Sequence, residues 1–155
     1  MSINNEIKFL LTSIPIFQSL DAGDIDVLSQ FLSPKELKIG GLVCKEGQHA
    51  SFLCFVTSGE LDVIKNIDGK EVTIATISEG GTLGEMALID GMTRSATVRA
   101  KAISAILILR RDDFNILLEK HTDVGIKILK GIARGMSFNL RQASAQISAY
   151  MTMSQ

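Results

Sequence analysis

Residues 80–100 read GGTLGEMALIDGMTRSATVRA, a glycine-rich turn that runs into a helix-prone segment, reverses, and leaves as a β-prone one. Gly81 and Gly84 let the main chain approach a bound group with no Cβ in the way. The helical turn that follows, 85–89, directs N–H groups outward at the positive end of its dipole. An anion suits that geometry. Arg94 follows Glu85 by nine residues, and Gly91 permits the reversal between them, so the guanidinium can return to the same cup with planar, charge-assisted donors. Glu85 has two readings: a carboxylate complementing the helix dipole, or an acceptor for a sugar hydroxyl. Glycines alone mark ordinary turns more often than anion sites, and it is Arg94 that gives the pattern weight.

Short β-prone runs fill the chain between 36 and 110, at 37–39, 42–44, 52–57, 61–65, 72–77, 96–98 and 106–109. Gly40-Gly41, Gly47, Ser58-Gly59, Asp68-Gly69 and Gly80-Gly81 punctuate them. Such spacing, with Asp68-Gly69 at a hairpin tip, predicts an antiparallel barrel or jelly roll. Before it, Leu11, Ile14, Ile16, Phe17, Leu20, Ile25, Leu28 and Phe31 recur at helical spacings broken by Pro15, which predicts short helices around a proline turn. After it the helical period returns in 113–120 and again in 123–146, where Ile128, Ile132, Met136, Leu140, Ala143 and Ile147 form one stripe.

That stripe needs cover from the barrel, from a second subunit, or from both. Gly131 and Gly135, one turn apart, would let another helix come close, so a homodimer through the C-terminal helix is expected. Residues 148–155 are weakly periodic and are expected to fray. The fold class is therefore mainly β with flanking helices (α+β): an antiparallel jelly-roll barrel with N-terminal helices and a long C-terminal helix. A single domain is expected over 1–155, with a helical part at about 1–33, the barrel at 34–111 and C-terminal helices at 112–150.

Composition narrows the function classes. Hydrophobic residues make up 46% of the 155-residue chain against 21% charged, enough for a core. The net charge of -1, from 16 Lys plus Arg against 17 Asp plus Glu, gives no basic field for DNA or an anionic membrane. The segment after 146 leaves no room for a helix-turn-helix, so DNA binding by this chain is not expected. No run of 18 apolar residues and no secretion signal is present, so the cytoplasm is the expected address and no membrane role is expected. Cys44 and Cys54 lack metal or disulfide spacing and read as reduced core residues, although reactive thiols would point to a redox sensor instead. His49 and His121 have no nucleophile or metal partner nearby, so neither a catalytic centre nor a metal or cofactor is expected. Arg99, Lys101, Arg110 and Arg111 read as solvated strand ends or as a patch for an acidic partner.

The 80–97 segment resembles the phosphate-binding cassette of the cyclic nucleotide-binding domain family, shared by catabolite activator proteins, kinase regulatory subunits and nucleotide-gated channels. Its Gly-Glu pair, short helix and Arg-small-Ala triplet read here as Gly84, Glu85, residues 86–89, Arg94, Ser95 and Ala96. Gly47 after Glu46, Gly59 after Ser58, the entry IPIFQSL and the exit RRDDFNILL match family features, so the resemblance spans about residues 14–120. It implies ligand contacts from Leu83, Gly84, Glu85, Met86, Ala87, Arg94, Ser95 and Ala96. The cyclic phosphate would lie on the Gly84, Met86 and Ala96 backbone with Arg94 and Ser95, and the ribose 2′-hydroxyl on Glu85. Leu83 stands where Phe is frequent. Ser95 is the residue of catabolite-activator-type proteins, which favours cAMP over cGMP. The resemblance implies a non-enzymatic sensor that signals through its C-terminal helix to an unidentified effector protein or by self-assembly. The competing expectation is a scaffold domain on the same fold that no longer binds nucleotide.

Overall fold

In the computed structural model, which describes residues 3–154, the chain begins with α1 (Asn5–Ser13), a 3-10 turn (Pro15–Phe17) and α2 (Ala22–Ser29). Eight strands follow: β1 (Ser33–Leu37), β2 (Leu42–Cys44), β3 (Phe52–Ser58), β4 (Glu60–Ile67), β5 (Lys70–Ser78), β6 (Thr82–Leu83), β7 (Thr97–Ala100) and β8 (Ser104–Arg110). A short helix, α3 (Glu85–Asp90), separates β6 from β7, and α4 (Arg111–Lys120) and α5 (Thr122–Met153) end the chain. The strands pair antiparallel in two sheets, β1-β8-β3-β6 and β2-β7-β4-β5. This is the expected jelly roll, built as two open layers rather than a closed barrel.

Two clusters of side chains hold the layers, and β3 and β8 serve both. Leu53, Phe55, Leu107 and Leu109 face the helices, whereas Cys54, Val56, Ile106 and Ile108 face the second sheet. Successive strand residues point to opposite faces, so a strand buried on both sides becomes an unbroken apolar run, as in FLCFV and AILIL. On the helical side Leu11, Phe17, Leu28, Phe114, Leu117, Ile128 and Ile132 are buried, and the Phe17 and Phe55 rings meet at 4.9 Å between centroids. Between the sheets Leu61, Val98 and Ala100 close on Leu83 and Ile106.

Local chemistry explains most boundaries. Asp68 and Gly69 both take left-handed backbone, φ 52° and 83°, and form the two-residue turn that joins β4 to β5. The first strand lies at Ser33–Leu37 instead of 37–39: Ile39 is outside it and exposed. Pro34 is accommodated because β1 is an edge strand that pairs only with β8. The two residues of β6 are too few to leave a pattern. The tail expected to fray is helical as far as Met153, because no Gly or Pro follows Gly135 and Ala, Gln and Met propagate a helix well. Gln155 is outside the described residues.

The early part of the α5 stripe is covered by the chain itself. Ile128 and Ile132 are buried, and a Cβ on Gly131 would strike the carbonyl oxygen of Ile16. Gly131 thus admits the 3-10 turn rather than a second subunit. From residue 137 to 153 every residue is exposed, including Leu140 and Ile147. Among the described residues no helix is long and apolar enough to cross a membrane.

One ion pair ties α2 to α5. Asp21 and Asp24 form a capping box at the start of α2, and Lys127 Nζ donates to Asp24 at 2.6 Å. That hydrogen bond holds the Asp24 carboxyl below its ordinary value of 3.8. A depressed carboxylate adds stability that is present above its unfolded pKa and disappears as pH falls through the folded one. Asp24→Asn keeps the cap and removes the charge, so its urea midpoint should lie below that of the wild type at about pH 7, with the gap closing in acid below about pH 4. A gap independent of pH would refute the assignment.

Candidate functional site

The site begins where β6 delivers the buried Leu83 and the chain turns at Gly84 into α3. Gly84 has φ 86°, a left-handed conformation that disfavours any side chain. A Cβ there would collide with Arg94 Nη1 and lie 2.6 Å from the Phe52 carbonyl oxygen. The bare backbone of Gly84 therefore makes room for the guanidinium behind it. Gly81 differs from expectation: a Cβ on it would strike Ile77 and the Ser78 carbonyl, so it closes a tight turn after β5 and does not face the site.

α3 turns Ala87 and Leu88 inward and leaves Met86 and Ile89 exposed. It ends at Gly91, φ 64°, and the chain returns along 92–96. Arg94 is fixed at both ends. Its backbone N–H donates to Gln48 O and its carbonyl accepts from Gly47 N–H, each at 2.9 Å. Its guanidinium lies over the Phe52 ring, 4.7 Å from the centroid, and donates to the Phe52 carbonyl. Nε is buried without a hydrogen-bond partner among the described residues. A cation held in this way has lost much of its hydration before any anion arrives.

Two cavities meet at this point. One of about 250 Å³ brings together Gly84, Glu85, Met86, Ala87, Arg94 and Ser95; the other, of about 140 Å³, adds Leu83 and Ala96. All eight residues expected from the sequence line one or the other, and Gly84, Arg94 and Ser95 line both. Together the two fall at the lower end of the range for small-molecule sites, about 300–1,000 Å³. Six further residues line them that the sequence alone does not single out. Asp90 ends α3 and Met92 and Thr93 lie on the return segment, while Cys44, Val63 and Val98 come from β2, β4 and β7 and form an apolar floor. Glu85 is half-buried and Ser95 exposed, which sets a carboxylate and a hydroxyl beside one planar cation. Chemically the arrangement suits a small anion joined to a hydroxyl-bearing group and an apolar ring.

Other chemistry is weaker. Burial pushes the Cys54 thiol up to about 12 against the opposing charge of Arg94, and raises Cys44 as well. Both thiols are buried and lack the thiolate that reactivity requires. Among the described residues no group of three or more His, Cys, Asp or Glu could hold a metal ion. His49 is exposed and donates from Nδ1 to Gly91 O at 3.2 Å; His121 meets Phe31 edge-on at 6.1 Å. The basic strand ends have partners within the chain: Arg99 with Glu71, Lys101 with Glu60, and Arg110 with Ser33.

Residues 34–121 match the family model described as the cyclic nucleotide-binding domain. The chain is 32% identical over 115 residues to a cAMP-dependent protein kinase regulatory subunit of Schizosaccharomyces pombe, covering 74% of this chain and 27% of that protein. It is 30% identical over 127 residues to a cyclic nucleotide-gated potassium channel of Rhizobium etli, covering 78% of this chain and 33% of the channel. The chain thus spans a third or less of the length of these curated relatives. Among solved structures, a cyclic nucleotide-binding domain from Methylobacillus flagellatus superposes with a TM-score of 0.79 at 27% identity, covering 94% of this chain and 82% of that one.

Proposed function

Because the chain belongs to the cyclic nucleotide-binding domain family, whose members include regulatory subunits, we propose that its paired cavities hold a cyclic mononucleotide and that the domain acts as a non-enzymatic sensor. The observation that carries this reading is the partly desolvated Arg94 guanidinium behind the left-handed Gly84, with Glu85 on the same cavity. The phosphate is read by Arg94, Ser95 and the Gly84, Met86 and Ala96 backbone, and the ribose by Glu85. The Ser95 hydroxyl, able to donate to phosphate or purine, favours cAMP over cGMP. Calorimetric titration of nucleotide-free protein with cAMP and with cGMP tests it, and saturable binding abolished in Arg94→Ala is the supporting result.

Output is assigned to α5 and a homodimer. Ile126, Ala133, Leu140 and Ile147 recur every seven residues, with Leu129, Met136, Ala143 and Tyr150 at the intervening positions, the a/d pattern of a two-stranded coiled coil; Leu129 and Met136 pack against the domain's own core, which leaves Leu140, Ala143, Ile147 and Tyr150 for a second copy. Leu140, Ile147 and Tyr150 are 69%, 60% and 74% exposed, so the stripe is available to a second copy. Leu140→Lys places a charge in that seam and is expected to halve the mass seen by light scattering while the fold, read by circular dichroism, is kept. A wild-type mass that stays monomeric at high concentration would overturn the dimer. The same exposed stripe favours, as a second reading, an interaction domain without ligand; a dimer that shows neither heat nor thermal shift with either nucleotide would select it.

A further inference from the structure

Each sheet has two edges, and three of the four are blunted against further pairing. β6 has two residues, β2 has three, and β1 carries Pro34, Lys35 and Glu36; short length, proline and charge all keep a strand edge from templating another strand. β5 has none of these protections. It is nine residues long, and from Val72 to Ser78 it reads VTIATIS, without charge, proline or glycine. It pairs only with β4, and among the described residues no backbone group outside β4 hydrogen-bonds to 70–77. Val72 is 41% and Ile74 54% exposed, so apolar side chains stand bare beside an open edge.

The same strand is complementary to itself. Its register against β4 passes from Ala75 to Thr73, which makes Ile74 a bulge. With that residue set aside, 70, 72, 75 and 77 share one face and 71, 73, 76 and 78 the other. Two copies of β5, antiparallel about a two-fold axis at Ala75, then place Val72 opposite Ile77, Thr73 opposite Thr76, and Lys70 opposite Glu79, the first residue past the strand. Each of these pairs occurs twice, and apolar, threonine and opposite-charge pairs are those that stabilise neighbouring strands. Among the described residues neither Lys70 nor Glu79 has an ion-pair partner within the chain, whereas Glu71, which would meet Ser78, is already held by Arg99.

We infer that β5 is an interface to a second copy of this chain, pairing antiparallel with its counterpart and joining the β2-β7-β4-β5 sheets of the two copies into one. The contact needs no ligand. It is also separate from α5, which seats on the helical side of the other sheet, so either contact can form without the other and a chain using both assembles beyond a dimer.

The full chain carrying Leu140→Lys isolates the β5 contact, and sedimentation velocity at low salt reads it. This protein should be a dimer, and adding Ala75→Lys, which sets two like charges on the axis, should make it a monomer with its circular dichroism unchanged. Hydrogen exchange should then quicken along 70–78 while β3 and β8 keep their protection. Lys70→Glu and Glu79→Lys, each added alone, turn both ion pairs into repulsions and should raise the dimer dissociation constant about tenfold. Mixing those two proteins, or combining both changes in one chain, restores opposite charges at both positions and should restore the affinity. A Leu140→Lys protein that stays monomeric at high concentration overturns the inference and leaves β5 as an edge for an extended segment of another protein. A dimer indifferent to Ala75→Lys and to both charge reversals places the contact elsewhere and overturns it too. Weakening by the single reversals without recovery on mixing overturns the two-fold register. Should the Ala75→Lys protein not fold, the charge reversals and their mixture are read by the same criteria.

Discussion

Arg94→Ala is expected to weaken cyclic nucleotide binding by about 2–5 kcal/mol, the range for removing one partner of a desolvated charge pair. Phe52 and Gly84 have already stripped water from the guanidinium, so a phosphate meeting it would gain charge-assisted hydrogen bonds with little further desolvation of the arginine. The fold should survive, because the main bond that the side chain makes within the protein is its hydrogen bond to the Phe52 carbonyl, worth about 1.5–3 kcal/mol for a charged donor. Lysine should recover little: an ammonium carries the charge but cannot lie flat between the aromatic ring and the glycine backbone. Calorimetry read beside circular dichroism separates the cases. Wild-type affinity in Arg94→Ala would remove the residue from the site, and an unfolded variant would make it structural.

Gly131→Ala and Gly135→Ala should move stability in opposite directions. In an open helix interior alanine gains up to about 1 kcal/mol over glycine, and nothing lies within 4 Å of a Cβ at Gly135. At Gly131 the new methyl meets the Ile16 carbonyl, a backbone group that cannot rotate away, and the overpacking should cost about 1–3 kcal/mol. Thermal melts should therefore shift down for the first variant and up for the second. A rise for both would mean that α5 does not seat on the 3-10 turn as described.

These glycines also mark where reading the chain alone runs out. Residues 84–96 are legible because their elements are local: a turn, six helical residues, a reversal and an arginine lie within one short segment. The floor of the site is not, since Val63 and Val98 become neighbours only when β4 pairs with β7, and nothing near either residue fixes that register. FLCFVT reads as a strand, yet a continuous apolar run does not reveal that the two faces of β3 belong to different cores. The first strand escapes the pattern because Pro34, Lys35 and Glu36 are poor strand residues, and the edge position that tolerates them is a property of the whole sheet. Gly131 and Gly135 look alike in the sequence, and only the position of the Ile16 carbonyl distinguishes them.

α5 is anchored along its first half and free along its second, which gives it the mechanics of a lever. Residues 137–153 extend about 25 Å at 1.5 Å per residue, so a tilt of about 10° at the seated base displaces the tip by about 4 Å. A tilt of this size, small where the helix meets the body, thus reaches its outer end as a movement comparable to a side chain's width. The amplification depends on length alone, and a helix cut near residue 140 would retain the fulcrum and lose most of the reach.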